Sequence, residues 1–135
     1  MTEQERIARN YMPADEKRIY VVVAATVQIG GFTVFQPLGR QGAQIGHVVS
    51  KLRFEHDRQF YPITTIVKAC RDSAELEHVT QLLWRNGVGL HPVTFYDTNR
   101  EAYGPDVSVA TAMAVLATKS ETFLTLDYLP LWGAE

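Results

Sequence analysis

Two short stretches of this chain hold residue types that can do chemistry. Gly39-Arg40-Gln41-Gly42-Ala43-Gln44-Ile45-Gly46-His47 opens a helix-forming segment. Tyr96-Asp97-Thr98-Asn99-Arg100-Glu101 leads to Gly104-Pro105 between two apolar runs. An aspartate beside an arginine in a cleft can act as a base or orient a water, while the guanidinium holds negative charge as it develops. The plain alternative for Asp97 and Arg40 is a structural ion pair. Glu101 lies close to Asp97 in sequence, so a carboxylate pair is a further option for hydrolysis.

Other chemistries lack their motifs. His47, His56, His78 and His91 are scattered without zinc-ligand spacing. His47 can face the site or serve as a hydrogen-bonded structural histidine. There is no nucleophile elbow, P-loop or dinucleotide fingerprint, so neither a metal nor a cofactor is expected. The single cysteine, Cys70, forms no internal disulfide and fits a reducing cytoplasm. Its place at the end of a strand suits a small buried thiol.

The two stretches must be positioned by the elements around them. Thr2-Glu3-Gln4-Glu5 reads as a capping box before a short helix carrying Ile7 and Tyr11, ended by Pro13. Residues 1–17 are expected as that helix and a linker, and 18–135 as one domain. Ile19 to Val27 is a continuous apolar, β-branched run, the mark of a strand covered on both faces. Gln28 to Leu38 is expected as a long loop whose Phe32, Val34 and Phe35 are too apolar for free solvation. Gly39 to Phe54 is expected as a helix, with Ile45, Val48, Val49 and Leu52 on one stripe. Gly42 and Gly46 suggest that another backbone approaches this helix closely.

Ile63 to Cys70 is expected as the second strand. Asp72-Ser73-Ala74-Glu75 then caps a helix striped by Leu76, Val79 and Leu83, with Gly87 as its C′ residue. His91 to Tyr96 is the third strand and Val107 to Ala117 the fourth. In the fourth, Val107, Val109, Thr111, Met113 and Val115 are expected on one face, with Ser108, Ala110, Ala112 and Ala114 on the other. Ser120 to Leu129 is a closing helix stopped by Pro130. The pattern predicts an α/β fold, a three-layer α/β/α sandwich with a mixed four-stranded sheet. Ligands of open α/β sheets bind beyond the carboxyl ends of the strands. Arg40 follows the first strand and Asp97 the third, so both are expected at one edge.

Composition bounds the partners. Hydrophobic residues make up 46% and charged residues 21%, ordinary for a globular domain with its own core. No apolar run reaches the ~18 residues of a transmembrane helix, and the charged stretch from Thr2 to Arg18 lacks the apolar core of a signal peptide. The net charge of −2 argues against a strongly basic surface. Charge is unevenly spread, however. Six basic residues lie from Arg40 to Arg71 against Glu55 and Asp57, so a local patch can still meet phosphate.

The two stretches resemble the signature segments of the type II peptidyl-tRNA hydrolase family. There a helix opens on a Gly-Lys-x-Ala-Ala-Gln-x-x-His pattern, matched here at Gly39, Ala43, Gln44 and His47. A second segment, Asp-x-Gly-Arg-Thr-Gln-x-x-Pro-Gly, is matched at Asp97, Arg100 and Pro105. The element order agrees from about Arg18 to Leu131. The resemblance implies hydrolysis of the ester between a peptide and the 3′ end of tRNA by a Lys, an Asp and a Thr. These map to Arg40, Asp97 and Glu101, with Gln44, His47 and Arg100 as substrate-binding positions. Two of the three are changed. Arginine holds a phosphate or oxyanion but does not shuttle a proton as lysine can, and Glu101 replaces a neutral hydroxyl with a carboxylate.

The expected function is therefore that of a peptidyl-tRNA hydrolase-like protein, cytoplasmic, with tRNA as partner. The alternative is a relative without this reaction that binds a small ligand or a protein through the Gln28–Leu38 segment and Trp132. Phe32, Val34, Phe35, Leu131 and Trp132 also lead us to expect a homodimer.

Overall fold

The computed structural model describes residues 16–56, 64–88 and 90–133. The expected N-terminal helix and the Ile63 start of the second strand lie outside them. In chain order the described elements are β1 (Lys17–Ile29), β2 (Phe32–Phe35), α1 (Leu38–Glu55), β3 (Thr65–Asp72), α2 (Ser73–Arg85), β4 (Val93–Thr98), α3 (Arg100–Tyr103), β5 (Ser108–Thr118) and α4 (Lys119–Leu126). Among the described residues no helix is long and apolar enough to cross a membrane.

The β1 run forms the central strand that its composition requires. It pairs in parallel with β3, from Ile19↔Thr65 to Thr26↔Asp72, and antiparallel with β5, from Lys17↔Thr118 to Val23↔Ala112. β4 pairs antiparallel with β5 on the far side. Because two antiparallel steps restore direction, β4 runs parallel to β1. Their carboxyl ends share one edge of the sheet.

The sheet has five strands rather than four, because part of the expected loop is a strand. Ile29↔Phe32 closes an antiparallel hairpin between β1 and β2 across Gly30-Gly31. Gly30 takes φ +58, which a two-residue hairpin turn favours and a side chain resists. The segment's apolar residues divide between core and solvent. Val34 packs with Val27, Val109 and Tyr103, whereas Phe32 and Phe35 stay 77% and 68% exposed.

Alternation along β1 sorts two cores. Ile19, Val21 and Val23 meet Val48 and Leu52 of α1 on one face. Tyr20, Val22 and Ala24 meet Leu76, Val79 and Leu83 of α2 and Leu126 of α4 on the other. Each fully buried Val or Leu of this kind contributes roughly 1.5–3 kcal/mol. The expected alternation of β5 is broken by a bulge: Phe95 pairs Ala112 but Tyr96 pairs Ala110, leaving Thr111 as the extra residue. Hence Val109 joins the core that holds Tyr103, while Met113 and Val115 join the α2 face.

Caps set the helix ends. The Asp72 side chain accepts from Glu75 N at 2.8 Å, starting α2, and Gly87 follows α2 at φ +61. The close backbone approach expected at the α1 glycines is not found. A Cβ on Gly42 would meet only the Trp132 ring, at 3.9 Å, and one on Gly46 would meet nothing within 4 Å. The C-terminal residues cover the edge of β3 instead. Ala69 N donates to Pro130 O and Trp132 N donates to Val67 O, both at 2.9 Å.

Candidate functional site

Helix α1 begins at the carboxyl-end edge of β1. Gln36 N donates to Ala25 O at 3.0 Å, holding the chain alongside β1 two residues before the helix. Pro37 is the N-cap residue and supplies no side-chain cap, and the first turn carries no acid. That end therefore favours negative charge, and Arg40 stands in its first turn. Asp97 lies near the end of β4 at the same edge and is half-buried.

Between them stands a residue that sequence reasoning passed over. Tyr103 is buried, and its hydroxyl donates to Asp97 Oδ2 at 3.1 Å. Burial pushes this phenol above its ordinary range, and the Asp97 carboxylate pushes the same way because a phenolate beside it would be repelled. The Arg40 guanidinium, acting on the same hydroxyl, pulls in the opposite direction. Asp97 and Arg40 thus both act on the Tyr103 hydroxyl, in opposite directions.

Tyr103 reaches this place because residues 100–103 form the one-turn helix α3. Asn99 caps it, accepting from Ala102 N at 3.0 Å, and Gly104 follows at φ +96. Asn before and Gly after a four-residue run are start and stop signals for a helix. They were present in the sequence, inside a segment read for its Asp97, Arg100 and Glu101 and not as a helix.

The other expected residues scatter around this cluster. Glu101 faces solvent from α3, and among the described residues no hydrogen bond or ion pair joins it to Asp97. Arg100 is exposed and lines a separate cleft of about 310 Å³ with Thr98, Asn99, Gly104, Pro105 and Asp106. His47 is exposed and stacks on Phe95, with ring centroids 4.9 Å apart. Gln44 is buried at 3% exposure, and its Oε1 has no hydrogen-bond partner.

Gln44 lies three residues after Gln41 on α1, and Gln41 and Gln36 are buried amides that find partners. Gln41 Nε2 donates to Gln36 O at 2.6 Å, and Gln36 Nε2 donates to Ala24 O at 2.7 Å. Trp132 Nε1 donates to Gln41 Oε1 at 2.9 Å. Trp132, expected on a contact surface, therefore sits half-buried against the α1 core. This network ties the first turn of α1, which carries Arg40, to β1 and to the C-terminal segment.

Cys70 is buried, and burial followed by the nearby carboxylates of Glu75 and Asp72 pushes its thiol up to about 12. At neutral pH it is a thiol, not a nucleophile. Among the described residues no group of His, Cys, Asp and Glu could hold a metal ion. The arrangement can therefore accept a proton at Asp97, donate a hydrogen bond from Tyr103, and hold an anion at Arg40. No family model matches this chain, and no curated protein matches it in sequence.

Proposed function

We propose that Asp97, Tyr103 and Arg40 form the hydrolytic centre of a divergent peptidyl-tRNA hydrolase-like protein, acting on the ester between peptide and tRNA. The observation that carries this reading is the Tyr103 hydroxyl bonded to Asp97 with Arg40 acting on the same oxygen. Tyr103 supplies, from α3, the hydroxyl that the Thr-to-Glu change at Glu101 removes. Its bond to Oδ2 fixes the carboxylate and leaves Oδ1 to hold a water.

In the reaction, Oδ1 takes a proton as the water oxygen attacks the ester carbonyl. Arg40 stabilises the negative oxygen of the tetrahedral intermediate, or the terminal phosphate of the substrate. When the carbon–oxygen bond to the ribose breaks, Asp97 returns its proton to the leaving 3′ oxygen. Arg40 keeps its charge throughout. On this reading the chain is cytoplasmic, the helices on the two faces make a three-layer α/β/α sandwich, and Phe32 and Phe35 contribute to a homodimer.

The test is release of tRNA from N-blocked aminoacyl-tRNA by the purified chain. Turnover is expected, with Asp97→Asn lowering kcat by about 10²-fold or more. An Asp97→Asn protein as active as the parent would remove the hydrolytic role. The exposed Phe32, Phe35 and Leu38 favour a second reading, a relative that only binds a protein or small ligand. A parent with no turnover and no tRNA binding at low salt, where even weak phosphate contacts show, selects that reading.

A further inference from the structure

The opposite face of the sheet, at the other end of β1, holds a charge that the hydrolytic centre does not use. Arg18 shares its face of β1 with Tyr20, Val22 and Ala24 and is only 4% exposed. Its Nη1 makes one long hydrogen bond, to the Tyr20 hydroxyl at 3.4 Å. Its Nε and Nη2 are buried and have no acceptor. Arginine cannot relieve this by losing its proton. Among the described residues no carboxylate lies within ion-pair distance of it.

Arg18 lines a cleft of about 240 Å³. Lys68 of β3 stands in the same cleft, fixed by donation from Nζ to Leu129 O at 3.0 Å. Lys119, at the start of α4, is on its exposed rim. Ile66, Leu126 and Leu131 supply an apolar wall.

We propose that this cleft binds a small organic monocarboxylate, with its charged end on Arg18 and its alkyl part against Ile66, Leu126 and Leu131. Nε and Nη2 form one edge of the guanidinium, the fork whose two parallel N–H groups match the two oxygens of a carboxylate. No described residue accepts from that edge. Asp127 also lines the cleft, and its negative charge disfavours a dianion such as phosphate. The apolar wall disfavours a free inorganic ion.

The test is thermal unfolding of the full chain titrated with sodium hexanoate, against sodium chloride, sodium phosphate and 1-hexanol at matched ionic strength. Hexanoate is expected to raise the melting temperature saturably, and the three controls are not. Arg18→Lys, which keeps the charge but loses the fork, should weaken hexanoate binding about tenfold. Lys119→Glu, at an exposed position where folding is not at stake, should weaken it several-fold by placing a negative charge on the rim. No saturable shift with hexanoate would overturn the proposal. So would equal shifts with phosphate or 1-hexanol, or hexanoate binding untouched by both substitutions.

Discussion

Two arginines of this domain sit on opposite faces of one sheet and meet opposite circumstances. Arg40 stands at the helix start, half-buried, and acts on the hydroxyl that Asp97 accepts from. Arg18 is buried more deeply, and two of its nitrogens lack any acceptor. A half-buried cation at a helix start keeps access to water and to a substrate. A buried cation without a counterion is costly to the fold until something supplies one. The contrast separates a cation open to solvent from one enclosed with two nitrogens unsatisfied.

Substituting the same way at both positions sharpens the comparison. Arg40→Met should lower tRNA release by about 10²-fold, as loss of an oxyanion donor does elsewhere, with little change in stability, read by urea unfolding. Arg18→Met should leave stability unchanged or raise it by about 1 kcal/mol or more, because a flexible apolar chain replaces an unpaired buried charge. A fall of several kcal/mol at Arg18 would mean that its charge is already satisfied, and the contrast would collapse.

Tyr103→Phe should cost about 1 kcal/mol of stability for the lost hydrogen bond. Because the folded-state pKa of Tyr103 is raised, this contribution is fully present below the ordinary phenol pKa. It is lost as pH rises through the higher folded value. Ultraviolet titration of the parent against Tyr103→Phe should accordingly show one late-ionising tyrosine disappear. Cys70, pushed up to about 12, should resist alkylation at neutral pH until the chain unfolds, which mass spectrometry after iodoacetamide would read. The smallest effect is expected at exposed Glu101, where Thr should shift stability by no more than about 0.5 kcal/mol and leave the rate of tRNA release near that of the parent.

What was legible in the sequence followed from burial on both sides of an element. The β1 run, the α1 and α2 stripes and the Asp72 cap announced themselves because packing and capping demand specific residues at fixed spacing. The hairpin was missed because β2 is four residues long and three of its side chains face solvent, so its Gly30-Gly31 signal stood beside an ambiguous run. The β5 bulge left no residue type to mark it, since alanines and valines suit either face. Arg40 and Asp97 were found by type and topology. Tyr103 was missed because its role depends on a single helical turn. Arg18 stood in the sequence only as the end of the charged N-terminal stretch and the start of the domain, and packing shows that its strand face is interior.

The central claim is that Asp97 and Tyr103 act as one unit. A double-mutant cycle on kcat/KM for N-blocked aminoacyl-tRNA, using Asp97→Asn and Tyr103→Phe, tests it directly. If the hydroxyl works through the carboxylate, the double variant should be no slower than Asp97→Asn alone. Fully additive losses, or a Tyr103→Phe protein indistinguishable from the parent, would contradict the account.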